Sequence, residues 1–304
     1  MGLSRWHRNI KPQFFCPIGH QHTRAAGLCD QGQTFARRRL AAGKGHNEIK
    51  HVFFVARTNA AVLPQDPVEY AVFAVGADEG TEKAYRQAYL DGLAGFLQWL
   101  LDEGQRPRRI IMTSSTSVYG QRRGEPINED SPTHPTQFRG ETMLASEGLL
   151  AASGIPSVAI RLGGIYGPDR TSLIRRAREG ALRLRGTEHF TNRIHRDDAA
   201  GLIRHLLFHS DPHPLYLGVD DRSAEEAELF TWLAKETGAA PPAPPEELEV
   251  GAAPSPSRRS VGSKRCTNER ARESGYRFLY PTYREGYGAL IEALAAADPS
   301  PIAG

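Results

Sequence analysis

Between Tyr70 and Thr113 the chain spells a strand, a helix and a second strand, and this run constrains the fold more than any other feature. Tyr70 to Val75 (YAVFAV) is short, apolar and rich in β-formers, the pattern of a strand buried on both faces. Gly76-Ala77-Asp78 breaks it. From about Thr81, the residues Tyr85, Tyr89, Leu93, Phe96, Leu97 and Leu100 recur at helical spacing, with Glu82, Arg86 and Asp91 between them. Gly104 stops the helix, and Arg109 to Thr113 (RIIMT) reads as the next strand. Two parallel strands need such a crossover, so this is one βαβ unit of a parallel sheet covered on both faces.

The alternation continues. Gln137 to Ala152 reads as a helix, Ser157 to Leu162 as a strand, Ser172 to Glu179 as a short helix and Asp197 to Phe208 as a helix. Asp197 and Asp198 fall in that helix's first turn, where its dipole favours anions. Leu215 to Val219 is a short strand, Ala224 to Glu236 a helix, and further helices are expected near Asn268 to Ser274 and Arg284 to Ala296. Repeated strand–helix alternation predicts a doubly wound α/β sheet. The Pro- and Ala-rich stretch from Ala239 to Pro256 suits neither a helix nor a central strand and reads as an exposed loop. The opening segment is out of character: Gly19 to Ala26 is polar where a first apolar strand belongs, and Phe14 to Ile18 comes too early and contains a proline.

Composition removes several classes. With 304 residues the chain can bury a core without disulfides or metals. A net charge of +3, with Arg and acidic residues interleaved, describes a solvated surface and not the basic stripe of a nucleic-acid groove. Three cysteines, Cys16, Cys29 and Cys266, form no disulfide framework and suit a reducing compartment. No stretch reaches the roughly 18 apolar residues of a membrane span, and no apolar signal core follows the basic N-terminus. The expectation is a cytoplasmic protein with no nucleic-acid or membrane partner. Cys16, His20, His22 and Cys29 have no structural zinc spacing, so no metal is expected.

Three segments carry the chemistry. They are Thr113-Ser114-Ser115-Thr116-Ser117-Val118-Tyr119-Gly120, Arg161-Leu162-Gly163-Gly164-Ile165-Tyr166-Gly167-Pro168, and Asn192-Arg193-Ile194-His195-Arg196-Asp197-Asp198-Ala199-Ala200. Each lies at the end of an expected strand or the start of a helix, at the sheet edge where open α/β folds bind ligands. In order and separation they resemble the NAD-dependent epimerase/dehydratase family, the extended and atypical branch of the short-chain dehydrogenases. The resemblance covers roughly Tyr70 to Gly238. It implies a Rossmann-like dinucleotide-binding domain over residues 1–165 and a smaller substrate-side lobe over 166–304, interleaved with the sheet. It further implies an NAD(P) cofactor, a sugar-like or nucleotide-linked small-molecule substrate, and a homodimer.

Carried onto this chain, the resemblance gives Ser115 the substrate's reacting oxygen. It puts Ser114, Val75 and Gly76 beside the cofactor. A strand-end turn is the plainer role for the serines, and a turn glycine for Gly76. Gly164, where a side-chain amide of the family is missing, Arg170, Asn192 and His195 are the candidate substrate contacts, with His195 read mainly as capping or orienting the helix after it. The family's glycine loop is matched most nearly by Gly27-Leu28-Cys29-Asp30-Gln31-Gly32, ahead of an amphipathic helix expected over Phe35 to Gly43. Cys29 replaces the glycine that lets the backbone approach a pyrophosphate. Arg57, after the strand-like Val52 to Ala56, suits the 2′-phosphate of NADP over the bare ribose of NAD; a surface arginine is the alternative.

The resemblance breaks at the family's Tyr-x-x-x-Lys pair. Anchored on Glu147, those positions hold Arg139 and Met143; one residue earlier they hold Phe138 and Thr142. Neither register supplies a phenol or an ammonium, and arginine stays protonated and cannot serve as a base. Near the C-terminus, Ser263 to Asn268 and Tyr280 to Tyr287 resemble an atypical subgroup that also lacks the pair. Lys264 and Arg265 there read as a solvated basic pair, or as partners for a substrate phosphate. Three functions stay open at this point: an NAD(P)-dependent oxidoreductase or epimerase, a non-catalytic dinucleotide-binding sensor or scaffold, and a protein whose altered N-terminus no longer binds a dinucleotide.

Overall fold

The computed structural model describes residues 38–40, 50–55, 67–185, 187–244 and 262–297. In chain order the strands are β1 (Arg38–Leu40), β2 (Lys50–Val55), β3 (Tyr70–Phe73), β4 (Arg109–Ser115), β5 (Glu125–Ile127), β6 (Ser157–Leu162), β7 (Gly164–Tyr166), β8 (Phe190–Thr191), β9 (Arg193–His195), β10 (Leu215–Gly218), β11 (Ala224–Glu225) and β12 (Lys264–Cys266). The helices are α1 (Glu82–Tyr85), α2 (Gly92–Asp102), α3 (Phe138–Ala152), α4 (Ser172–Arg178), α5 (Arg196–Phe208), α6 (Glu226–Glu236), α7 (Glu269–Glu273) and α8 (Tyr283–Ala297). A π-helical segment, Arg86–Asp91, joins α1 to α2.

The main sheet has the order β1-β2-β3-β4-β6-β10. The ladders from β2 to β3 and from β3 to β4 are parallel, as the crossover demanded. The doubly wound parallel sheet is the one the alternation predicts; at its edge the short β1 adds an antiparallel strand to β2. The helix expected over Phe35 to Gly43 is corrected, because Arg38–Leu40 is that edge strand. Ladder hydrogen bonds to β2 outweigh a local helical spacing of only about two turns, too short to hold without tertiary support.

Two compact units divide the chain. The first comprises 1–118, 135–161 and 203–216; the second comprises 119–134, 162–202 and 217–304. In the first, every residue of β3 is buried. Leu93, Phe96, Leu97 and Leu100, the apolar stripe read from spacing, are the buried face of α2, and Phe73 stacks on Phe96 at 6.1 Å. Gly104 ends α2 at φ +61°. Its amide donates to Leu101 and that of Gln105 to Leu100, the paired bonds that satisfy a helix's last carbonyls. Arg109 closes α5 by donating to the carbonyls of Leu206, Leu207 and His209 at 2.7–3.0 Å.

The second unit has its own core. Tyr166, Ile174, Leu182, Leu229, Phe230, Leu233, Tyr283, Tyr287 and Leu290 pack together. Asp198 is fully buried at the start of α5. It accepts from the amides of Leu279 and Tyr280 and from the Tyr276 hydroxyl, so it tethers the segment before α8. Burial raises its carboxyl above the ordinary range. No helix among the described residues is long and apolar enough to cross a membrane.

Candidate functional site

The carboxyl edge of β3 and β4 brings the first group of candidates together. Phe73 pairs with Met112 across the parallel ladder. That is the last pair of the ladder; Gly76 follows Phe73 by three residues and Ser115 follows Met112 by three, so both leave the sheet at the carboxyl ends of neighbouring strands. The strand expected to reach Val75 ends at Phe73; Ala74 to Ala77 leave it as half-buried backbone outside any regular ladder. Ser115, half-buried, is the last residue of β4. Its oxygen accepts the Ser117 amide at 3.1 Å, which leaves its hydroxyl proton free to donate.

Ser114 faces the other way. It is buried, and its hydroxyl donates to Glu147 Oε1 at 2.5 Å. Arg161 grips the same carboxylate with two bonds, Nε to Oε1 at 3.0 Å and Nη2 to Oε2 at 2.7 Å. The side chains of Arg161 and Glu147 are only 6% and 11% exposed. This buried fork ties β4, α3 and β6 together directly beneath Ser115. Sequence reasoning used Glu147 only as an anchor, yet an arginine inside the apolar strand SVAIRL was a signal, since a buried charge requires a partner.

α3 supplies the rest of this edge. Met143 is 3% exposed, a core residue. Arg139 is half-buried and donates through Nη2 to the Gly80 carbonyl at 2.9 Å. Gly140 lets the helix approach the turn after Ser115: a Cβ there would lie 2.3 Å from the Ser117 carbonyl oxygen and 2.8 Å from Pro135 Cβ. Gly140→Ala is therefore expected to lower stability by about 1–3 kcal/mol through overpacking, measured as a fall in the urea midpoint. A midpoint equal to the parent's would contradict this contact.

In the second unit, Gly164 is exposed on β7 and pairs with Arg193 of β9. Asn192 is occupied structurally. Its Oδ1 accepts from Ser223 and the Cys266 amide, and its Nδ2 donates to the Lys264 carbonyl. His195 is 1% exposed, with its ring 3.9 Å from that of Tyr280; its Nδ1 accepts the Asp197 amide, and burial pulls its pKa down. That geometry matches the orienting role. Arg170 is half-buried, with burial and then the nearby Arg196 lowering its pKa. Lys264 departs from the solvated pair read for it. It is 4% exposed, donates to the Tyr119 carbonyl at 2.9 Å, and burial lowers its pKa. Pairing of β12 with β5 buries it; Arg265, next along, stays exposed.

Gly27, Cys29, Gly32 and Arg57 lie outside the described residues, as do Cys16, His20 and His22. Among the described residues no group of His, Cys, Asp or Glu could hold a metal. The described edge fits a dinucleotide on two counts. The half-buried strip Ala74 to Ala77 offers backbone without a side chain at Gly76, and the neighbouring strand β4 ends on a hydroxyl with a proton to give.

No protein-family model matches the chain. Protein YeeZ of Escherichia coli K12 is 30% identical over 188 residues, 61% of this chain and 64% of YeeZ, so the chain spans just under two thirds of that relative. A solved structure from Methylobacillus flagellatus, assigned to the NAD-dependent epimerase/dehydratases, is 36% identical at TM-score 0.60 and covers 74% of this chain and 76% of that one. The UDP-glucose 4-epimerase of Thermus thermophilus, solved with NAD, shares the fold at 19% identity and TM-score 0.60, covering 76% and 78%. An α/β fold with parallel β2–β3–β4 ladders, the serine-bearing end of β4 and 36% identity across three quarters of a solved member place this chain in the NAD-dependent epimerase/dehydratase family.

Proposed function

We propose that the chain binds a nicotinamide dinucleotide along the edge where β3 and β4 end. There it acts as an oxidoreductase or epimerase on a sugar-like or nucleotide-linked substrate. The observation that supports this is the parallel β3–β4 ladder, whose neighbouring carboxyl ends lead into Gly76 on one strand and Ser115 on the other. In the reading, Val75 and Gly76 give their backbone to the cofactor, Ser114 steadies the wall through Glu147, and the Ser115 hydroxyl donates to the substrate's reacting oxygen. When bound, the nicotinamide supplies hydride exchange. Gly27, Cys29 and Gly32 are the proposed pyrophosphate loop, and Arg57 makes NADP the preferred dinucleotide. Gly164, Arg170, Asn192 and His195 are the substrate-side shell, with Asn192 and His195 shaping it from within. A buried, unpaired Cys266 suits a reducing cytoplasm; a homodimer completes the proposal.

A second reading, a non-catalytic dinucleotide sensor or scaffold, draws on one observation. Where the resemblance expects a phenol and an ammonium, Arg139 is engaged with Gly80 and Met143 is in the core. Calorimetry with NADPH and NADH, followed by turnover assays on nucleotide sugars, separates the two. The expected result is saturable binding and turnover that falls about 100- to 1,000-fold in Ser115→Ala, the usual loss for one donor on a reacting oxygen, with dinucleotide affinity kept. Binding without turnover on any nucleotide sugar would transfer the case to the second reading. Failure to bind either dinucleotide would end both.

A further inference from the structure

The segment from Ala74 to Thr81 joins β3 to α1 and carries Gly76, yet no regular ladder holds it. A side chain from a neighbouring element holds it instead. Tyr89 is close by, a phenol that burial and then the nearby Tyr85 push up to about 12, with the Ala77 backbone opposing the rise. The Gly80 carbonyl accepts from Arg139 Nη2 at 2.9 Å.

The arginine is itself fixed. Its guanidinium carbon lies 5.3 Å from the Tyr85 ring centroid and 4.9 Å from that of Phe138, within the range of cation–π attraction. Those two rings meet edge-to-face at 5.5 Å, and Tyr85 packs on Tyr89 at 5.2 Å. The contact at Gly80 is close: a Cβ there would lie 2.9 Å from Nη2, so a side chain at this position would push the guanidinium aside. The planar, permanently charged guanidinium donates along its edge while stacking on its faces, a pairing of roles that few side chains combine.

We propose that Arg139 is a positioning residue: by clamping Gly80 against α3 it fixes the 76–81 loop in the conformation that the dinucleotide meets. The role rests on the dinucleotide reading of this edge and goes beyond it. It replaces proton transfer from this position with loop placement. The guanidinium touches the loop and leaves the reacting atoms to Ser115.

The test uses the full chain with Arg139→Met and Arg139→Lys, reading NADPH and NADH affinity by calorimetry, amide hydrogen exchange, and thermal midpoint. Arg139→Met is expected to weaken dinucleotide binding about tenfold, equal to 1.4 kcal/mol, and to speed exchange at 77–81 while the 142–150 amides of α3 keep their rate. Arg139→Lys, which keeps a cation near the rings but loses the planar fork, is expected to recover only part of the affinity. Parent-like affinity in Arg139→Met overturns the proposal whatever happens to the midpoint, since a merely structural arginine would change only the latter. Equal losses in both variants would overturn the stacking argument. If the parent chain binds neither dinucleotide, the functional reading itself fails and takes this role with it; if the parent binds and the Met variant binds equally, only the role of Arg139 fails.

Discussion

Arg161→Met is expected to cost the first unit about 3–5 kcal/mol, the usual loss when one partner of a buried ion pair is removed. The cause is not the disappearance of an attraction alone. Arg161 and Glu147 are both nearly solvent-free, and Arg161 makes two of the three hydrogen bonds that Glu147 receives. Without the guanidinium the carboxylate stays in a poorly polarisable environment with only Ser114 donating to it. The double variant Arg161→Met with Glu147→Gln leaves no uncompensated charge and is expected to regain more than half of the loss, because apolar or neutral replacements of buried pairs are often tolerated. Urea denaturation of the parent, the single variant and the double variant measures both quantities. A single-variant loss under about 1 kcal/mol, the size of an exposed pair, would show that the fork is solvated in the working protein. Ser114 links this stability to function: its hydroxyl is bonded to Glu147, and Ser115 is the next residue, so the fork sets the height at which Ser115 emerges.

Regular elements were legible because their periodicity is long. Ser157–Leu162 was read residue for residue, and the four leucine and phenylalanine positions of α2 are buried as their spacing implied. Gly104 announced the helix end because only a residue without Cβ takes φ +61° at little cost. What stayed hidden was short or long-range. β5, β7, β9, β11 and β12 have two or three residues each, too few to show any alternation. Ala224 and Glu225 consequently read as the start of a helix, although they pair with β8. Lys264 looked solvated because nothing local says that Glu125–Ile127, far earlier in the chain, covers it.

The candidate site divides along the same line. Ser115 and Gly76 are candidates read from strand ends, a local signal. The Arg139–Gly80 clamp links residues 59 apart in sequence, and no spacing rule connects them. Asn192 is placed among the substrate contacts for its polarity; within the second unit its Oδ1 accepts from Ser223 and the Cys266 amide, and one Nδ2 hydrogen goes to the Lys264 carbonyl. Polarity marks a residue as needing partners; only the fold shows whether those partners are protein or ligand.

Asp220→Asn is expected to stabilise the protein increasingly as pH rises. Asp220 is 2% exposed, and neither carboxyl oxygen has a well-formed hydrogen bond among the described residues, the Arg222 backbone offering only a weak contact. Burial therefore drives its carboxyl well above the ordinary range, with Asp221 and Asp198 adding to the rise and Arg193 opposing it. The folded-state value exceeds the unfolded value of about 3.9. Between those two values the native state keeps a proton that the unfolded chain has released, so stability falls as pH rises through that window. The fall runs at up to about 1.4 kcal/mol per pH unit and is complete above the folded-state value. Asparagine keeps the shape and cannot ionise. The stability difference between variant and parent should be small near pH 4 and should grow towards pH 8. Thermal midpoints of the two proteins across that range measure it. A difference that stays flat, or that shrinks towards pH 8, would mean that Asp220 is ionised and paired with Arg193 in the folded chain, and the buried neutral acid would have to be given up.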